Sequence, residues 1–157
     1  MKFTILLTIF LTLIVSAEEI QVKANLFNTD EKNGLSTFEG NVNVLKGHDE
    51  LNASKVTIYT DEKHNPTKFI AKGDVSFNIH TLDGAVYKGK AGEVIYLPVK
   101  KEYLFFGNVH LQQVDEKKEI IGEEVVLKTI EGKAYAKGAK KEPVIMIFDI
   151  VEKEEEK

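Results

Sequence analysis

Hydrophobic and polar residues alternate through most of the chain with a period of two. From Phe69 onward the odd positions read Phe69, Ala71, Gly73, Val75, Phe77 and Ile79, while the even positions from Lys68 to His80 are polar except for Ile70. One face of such a run is apolar and the other is wet, the pattern of a half-buried antiparallel strand rather than a helix. β-Branched and aromatic residues fill the apolar positions, and no segment carries a helical stripe.

The runs also repeat. FEGNVNV at Phe38 to Val44, AKGDVSF at Ala71 to Phe77 and FFGNVHLQQ at Phe105 to Gln113 each write glycine, then Asn or Asp, then valine, then further alternation. Gly40, Gly73 and Gly107, with a degenerate fourth at Gly138, are spaced by 33, 34 and 31 residues. After each of the first three comes a partner run, NASKVTIY, KAGEVIYL or IGEEVVLK, so the unit is a hairpin. Each glycine is in phase with the apolar face at the middle of its run, which predicts a bulge or corner in a curved sheet. Turn signals at 30–34, 61–66, 83–84, 98–101, 115–118 and 131–132 separate the runs and predict about 14 to 16 short strands. The expected fold class is all-β: repeated antiparallel hairpins in a jellyroll or hairpin stack.

The two ends differ. Residues 1–17, MKFTILLTIFLTLIVSA, pair a lone Lys2 with an apolar run and end on Ala17, which predicts a cleaved secretory signal peptide. The apolar run is about 13 residues, short of the roughly 20 that a spanning helix needs. Residues 18–151 form the expected folded domain, and 152–157, EKEEEK, a solvated tail. Just before that tail, PVIMIFDIV is apolar on both parities, as expected of a strand covered on both faces or shared with a partner.

Composition narrows the function. Twenty-one lysines and no arginine against 25 acidic residues give a net charge of −4, about −5 once Lys2 leaves with the leader, which argues against nucleic acid as a partner. Any phosphate contact would use point-charge ammonium groups rather than bidentate guanidinium forks. There is no cysteine, so an exported chain would depend on its core and its backbone ladder. His48, His64, His80 and His110 lack the spacing of a metal site, no G-x-S-x-G or phosphate loop is present, and the adjacent Glu123 and Glu124 would point to opposite faces of a strand. Neither an enzyme nor a cofactor is expected. Glu50 to Ser54 fits the extended acceptor sequence for bacterial N-glycosylation at Asn52, although the start of a strand explains the same residues.

The distinctive feature left is the apolar face: Val42, Val44, Val56, Ile58, Phe69, Val75, Phe77, Ile79, Val94, Tyr96, Phe105, Val109, Leu111, Val125 and Leu127. Such a stripe is most simply a core. In an open repeated sheet it is also a surface on which an apolar ligand could lie.

The phrases FEGNVNVLKG with NASKV, and FFGNVHLQQVDEKKEIIGEEVVLK, resemble the OstA-like (LptA) family of periplasmic lipopolysaccharide-transport proteins, in order and spacing, from about Ile20 to Phe148. Glu123 stands where the family often has Asp, and AKGDVSF is a looser copy. The resemblance implies a twisted, V-shaped β-jellyroll open at both ends, whose apolar groove shields lipid A as lipopolysaccharide crosses the periplasm of a Gram-negative cell. It implies an LptC-like inner-membrane partner, an LptD-like outer-membrane translocon and a head-to-tail homo-oligomer. Edge strands at about Ile20 to Asn25, with Ile20, Val22 and Ala24, and at Val144 to Ile150, with Val144, Met146 and Phe148, would template the joints. The alternative is a periplasmic structural repeat protein with a self-packed core and no lipid ligand.

Overall fold

The computed structural model describes residues 18–150, so the expected signal peptide at 1–17 and tail at 152–157 lie outside the described residues. Ten antiparallel strands form one open sheet: β1 (Ile20–Lys23), β2 (Leu26–Asp30), β3 (Leu35–Lys46), β4 (Asp49–Thr60), β5 (Pro66–His80), β6 (Val86–Leu97), β7 (Glu102–Gln113), β8 (Lys118–Lys128), β9 (Lys133–Lys137) and β10 (Ile145–Ile147). The six long strands β3 to β8 are joined by successive hairpins. β1 and β2 together flank β3, and β9 and β10 together flank β8.

The glycine phrase is a corner. Gly40-Asn41, Gly73-Asp74 and Gly107-Asn108 all have positive φ, from 44° to 86°. Glycine adopts this left-handed region without a Cβ penalty, and Asn and Asp tolerate it better than other residues. At each corner the ladder slips so that two residues on one strand oppose one on the next: Gly40 and Asn41 lie between the pairs Glu39↔Lys55 and Val42↔Ala53, where β4 has only Ser54. The same slip recurs between β5 and β6 and between β7 and β8. At the sheet's ends, Gly138 opens the break between β9 and β10, and Asn25 breaks β1 from β2 by donating its amide to both Glu39 and Gly40 carbonyls.

Two-against-one pairing bends a sheet and raises its twist. Repeated on one line across every strand, it divides the sheet into two arms that face each other. Phe77 on β5 and Phe105 on β7 are separated by β6, yet their ring centroids lie 4.5 Å apart, because one belongs to each arm. The bulge also resets parity on the shorter strand, whose inward residues run Leu51, Ala53, then Val56, Ile58 on β4 and Tyr87, Gly89, Ala91, then Val94, Tyr96 on β6.

The expected 14 to 16 short strands become ten because β3 to β8 continue through the corner instead of ending at it. The edge strands are shorter than expected as well. β1 stops at Lys23, where Asn25 leaves the ladder, and β10 covers Ile145–Ile147, starting two residues after Pro143, which has no amide to donate.

Candidate functional site: the apolar interior between the arms

The inner faces carry apolar residues in cross-strand rows set by the register. On one arm the row Ile58, Phe69, Tyr96, Tyr103, Leu127 runs across β4 to β8, with Val56, Ala71, Val94, Phe105 and Val125 one step nearer the corner. On the facing arm Val22, Val44, Leu51, Phe77, Gly89, Leu111, Ile120 and Met146 run from β1 to β10 without a break. A continuous apolar row from one sheet edge to the other is what a hairpin repeat produces when each unit is in register with the next.

All fifteen apolar residues singled out from the sequence lie in this interior. Val42, Val56, Phe69, Val75, Phe77, Ile79, Val94, Tyr96, Phe105, Val109, Leu111, Val125 and Leu127 are buried, and Val44 and Ile58 pack against them half-buried. Sequence reading missed Tyr87 and Tyr103, both buried here. Tyr103 was legible two positions before Phe105, but Tyr87 is separated from Val94 and Tyr96 by the parity reset at Gly92.

The space between the arms is small at one end and wide at the other. Near β1 a cavity of about 50 Å³ is walled by Ile20, Val44, Leu51, Val56, Phe69 and Tyr96. Near β10 a cavity of about 320 Å³ opens among Tyr87, Leu111, Ile120, Ala136, Val144 and Met146. Between them the Phe77 and Phe105 rings meet, with Phe77 lying over Gly89, where a Cβ would come within 2.9 Å of its ring.

The rim near β1 is polar. Asp49 Oδ2 accepts the Tyr103 hydroxyl at 2.9 Å, and Oδ1 accepts the His80 amide at 2.8 Å with the His80 ring nitrogen at 3.3 Å. Lys46 Nζ lies 3.6 Å from Asp49, 3.4 Å from Glu18 and 5.3 Å from the Tyr96 ring centroid. Burial pushes the Tyr103 hydroxyl far above its ordinary value, with the Asp49 charge adding to the shift, so it remains a proton donor. Burial alone would lower Lys46, but Tyr96, Asp49 and Glu18 outweigh it and the net shift is upward, which keeps the ammonium charged. His110 pairs instead with Glu119 at 3.0 Å on the outer face, and among the described residues no group of His, Asp and Glu is arranged to hold a metal ion. Asn52 is exposed on β4, its carbonyl accepting Asn43 Nδ2 at 2.9 Å.

Both ends of the sheet present strands with one unpaired side. Ile20 and Val22 of β1, and Ala24 just after it, are half-buried against the core. At the other end Val144, Met146 and Phe148 are exposed, together with Ile145, Ile147 and Ile150. The segment that reads as apolar on both parities is therefore bare on the single chain. No helix among the described residues is long and apolar enough to cross a membrane.

No curated protein matches this sequence. Among solved structures the fold is similar to the crystal structure of LptH, the LptA-homologous periplasmic component of the lipopolysaccharide transport device of Pseudomonas aeruginosa. The TM-score is 0.75 at 20% identity, over 85% of this chain and 96% of that one. At this identity the likeness shows the fold, an LptA jellyroll. A family profile described as LptA/(LptD N-terminal domain) LPS transport protein matches residues 21–133, which include the corners at Gly40, Gly73 and Gly107. The chain belongs to the LptA/LptD N-terminal domain family of lipopolysaccharide transport proteins.

Proposed function

We propose that the protein is a periplasmic lipopolysaccharide carrier that shields lipid A acyl chains between its arms and joins end to end through its edge strands. The observation that carries this reading is the unbroken apolar row from Val22 to Met146, which reaches both unpaired edges. Exposing an acyl chain of a dozen carbons to water costs on the order of 10 kcal/mol at about 0.8 kcal/mol per methylene. A lipid with several such chains needs cover throughout its passage. Val42, Val44, Val56, Ile58, Phe69, Val75, Phe77, Ile79, Val94, Tyr96, Phe105, Val109, Leu111, Val125 and Leu127 supply it, while sugars and phosphates stay at the rim. The role needs no chemistry beyond binding.

End-to-end assembly follows from the same row. A second copy adding its β1 edge to the β10 edge would continue both the backbone ladder and the apolar surface, and would cover Met146 and Phe148. An LptC-like protein at the inner membrane and an LptD-like translocon at the outer membrane would cap the chain of copies by the same pairing. Residues 1–17 act in this reading as the cleaved export signal.

The close packing of the interior favours one competitor, a structural repeat protein whose arms simply pack on each other. Capture of the protein from a detergent-free envelope extract, followed by mass spectrometry of what it holds, separates the two. Bound lipopolysaccharide is expected; a folded, exported protein that carries no lipid would overturn the carrier reading.

A further inference from the structure

An interior that carries acyl chains must hold them, and toward β1 this one is narrow. The 50 Å³ cavity near β1 has room for about four waters, on about 10 to 15 Å³ each, which is far less than one acyl chain. For a chain to come in from the side at this end the arms have to part at their tips, and what holds the tips together decides when they do.

Two hydrogen bonds close the rim, beside the Lys46 ammonium, which reaches across to within 5.3 Å of the Tyr96 ring centroid on the other arm. Leu82, in the β5–β6 turn of one arm, donates its amide to the Thr129 carbonyl in the β8–β9 turn of the other, at 3.2 Å. The second is made by side chains, the 2.9 Å bond from Tyr103 on one arm to Asp49 on the other. Asp49 is well placed to hold. Its side chain is 13% exposed, and the His80 amide fixes its other oxygen, with Lys46 beside it. Tyr103 is fixed too, its ring stacked 4.5 Å from Tyr96 and 6.1 Å from Phe105. Both partners are therefore held in position by their own arm, and a bond between two pre-placed groups in a partly dry site resists the parting of the arms directly.

Resting on the carrier reading above, we propose that Asp49 and Tyr103 form a latch across the two arms, and that its release gates sideways loading of lipid acyl chains into the interior. Lys46 and His80 are positioning residues that keep the Asp49 carboxylate aimed at the hydroxyl. The apolar rows do the holding once a chain is inside, and the latch sets how often the rim opens to admit one. The wide cavity at the β10 end lies outside this latch, so transfer to a next copy along the row would not need it broken.

The test uses Tyr103→Phe, which removes the hydroxyl and keeps the stacked ring. Its control is Thr67→Val, which removes a hydroxyl bonded within a single arm and outside the interior, to the Tyr59 carbonyl at 3.2 Å. The chain has no cysteine, so spin labels on cysteines at His48 and Lys100, both exposed on turns of opposite arms, report the gap without background. Expected is a longer and broader distance distribution for Tyr103→Phe alone, with a rise of about tenfold in the loading rate of purified lipopolysaccharide, equivalent to about 1.4 kcal/mol. An unchanged distance would overturn the latch. A widened gap with an unchanged loading rate would overturn its role as a gate and leave the ends as the route in. Failure of every form, wild type included, to take up lipopolysaccharide would overturn the carrier reading and the gate with it, while the distances would still score the latch as a mechanical contact.

Discussion

Replacing the corner glycines one at a time separates two costs that the structure assigns differently. Gly107 has φ of +79°, but a Cβ built there meets nothing nearer than 3.6 Å, the Gly92 Cα. Gly107→Ala therefore bears only the conformational cost of a left-handed L-residue, roughly 1 to 2 kcal/mol. Gly73 has a similar φ of +86°, and there a Cβ would stand 2.6 Å from Ser54 Oγ and 2.7 Å from Ser54 Cβ. Moving β4 aside adds roughly 1 to 3 kcal/mol of overpacking, so Gly73→Ala is expected to cost about 2 to 5 kcal/mol. Urea denaturation of both variants measures the difference. A double-mutant cycle isolates its source, because Ser54→Gly removes the two atoms in the way and should bring the cost of Gly73→Ala down to that of Gly107→Ala. Equal costs for the two single variants, or no rescue by Ser54→Gly, would refute the assignment of the difference to contact with the neighbouring strand.

Further outcomes follow from the interior and the edges. Phe105 is fully buried between the arms, so Phe105→Ala should cost about 3 to 5 kcal/mol in chemical denaturation, against less than 1 kcal/mol for Lys72→Met, which breaks only an exposed pair with Glu93. Burial raises the hydroxyls of Tyr87, Tyr96 and Tyr103 above their ordinary value of 10.0, so above that pH the unfolded chain sheds protons that the folded one keeps. Stability should fall as pH rises past 10.0, and Tyr103→Phe should shrink that fall; thermal melts across the alkaline range check both. Removing residues 144–150 takes away β10 and the exposed apolar segment, and light scattering should then find monomers, against the head-to-tail oligomers expected of the full chain.

Much of this architecture was written in the chain at single-residue resolution. The alternation at Phe69 to Ile79 identified an inner and an outer face correctly because β5 carries the two-residue side of its bulge, which leaves parity intact. The recurrence of glycine with Asn or Asp located the corner for an equally local reason, since both residues of the pair take a left-handed backbone. Strand number was not legible, because a bulge and a turn both interrupt alternation and only the register tells them apart. Nor was Tyr87, hidden by the parity reset on β6. The latch lay further out of reach. Asp49 and Tyr103 are 54 residues apart and on non-adjacent strands, and they meet only because the sheet folds back at the corner. His80, on the polar parity of β5, joins the same cluster by ordinary pairing, since β5 lies beside β4 and its amide meets Asp49 there.

The central claim is that the apolar interior is the path of the lipid, and site-specific photocrosslinking in the cell tests it most directly. A photoreactive residue at Phe77 faces the opposite arm, and one at Asn78, the next residue of β5, faces outward. Lipopolysaccharide adducts at Phe77 and none at Asn78 are the predicted result. Adducts at Asn78, or none at either position in a folded and exported protein, would contradict it.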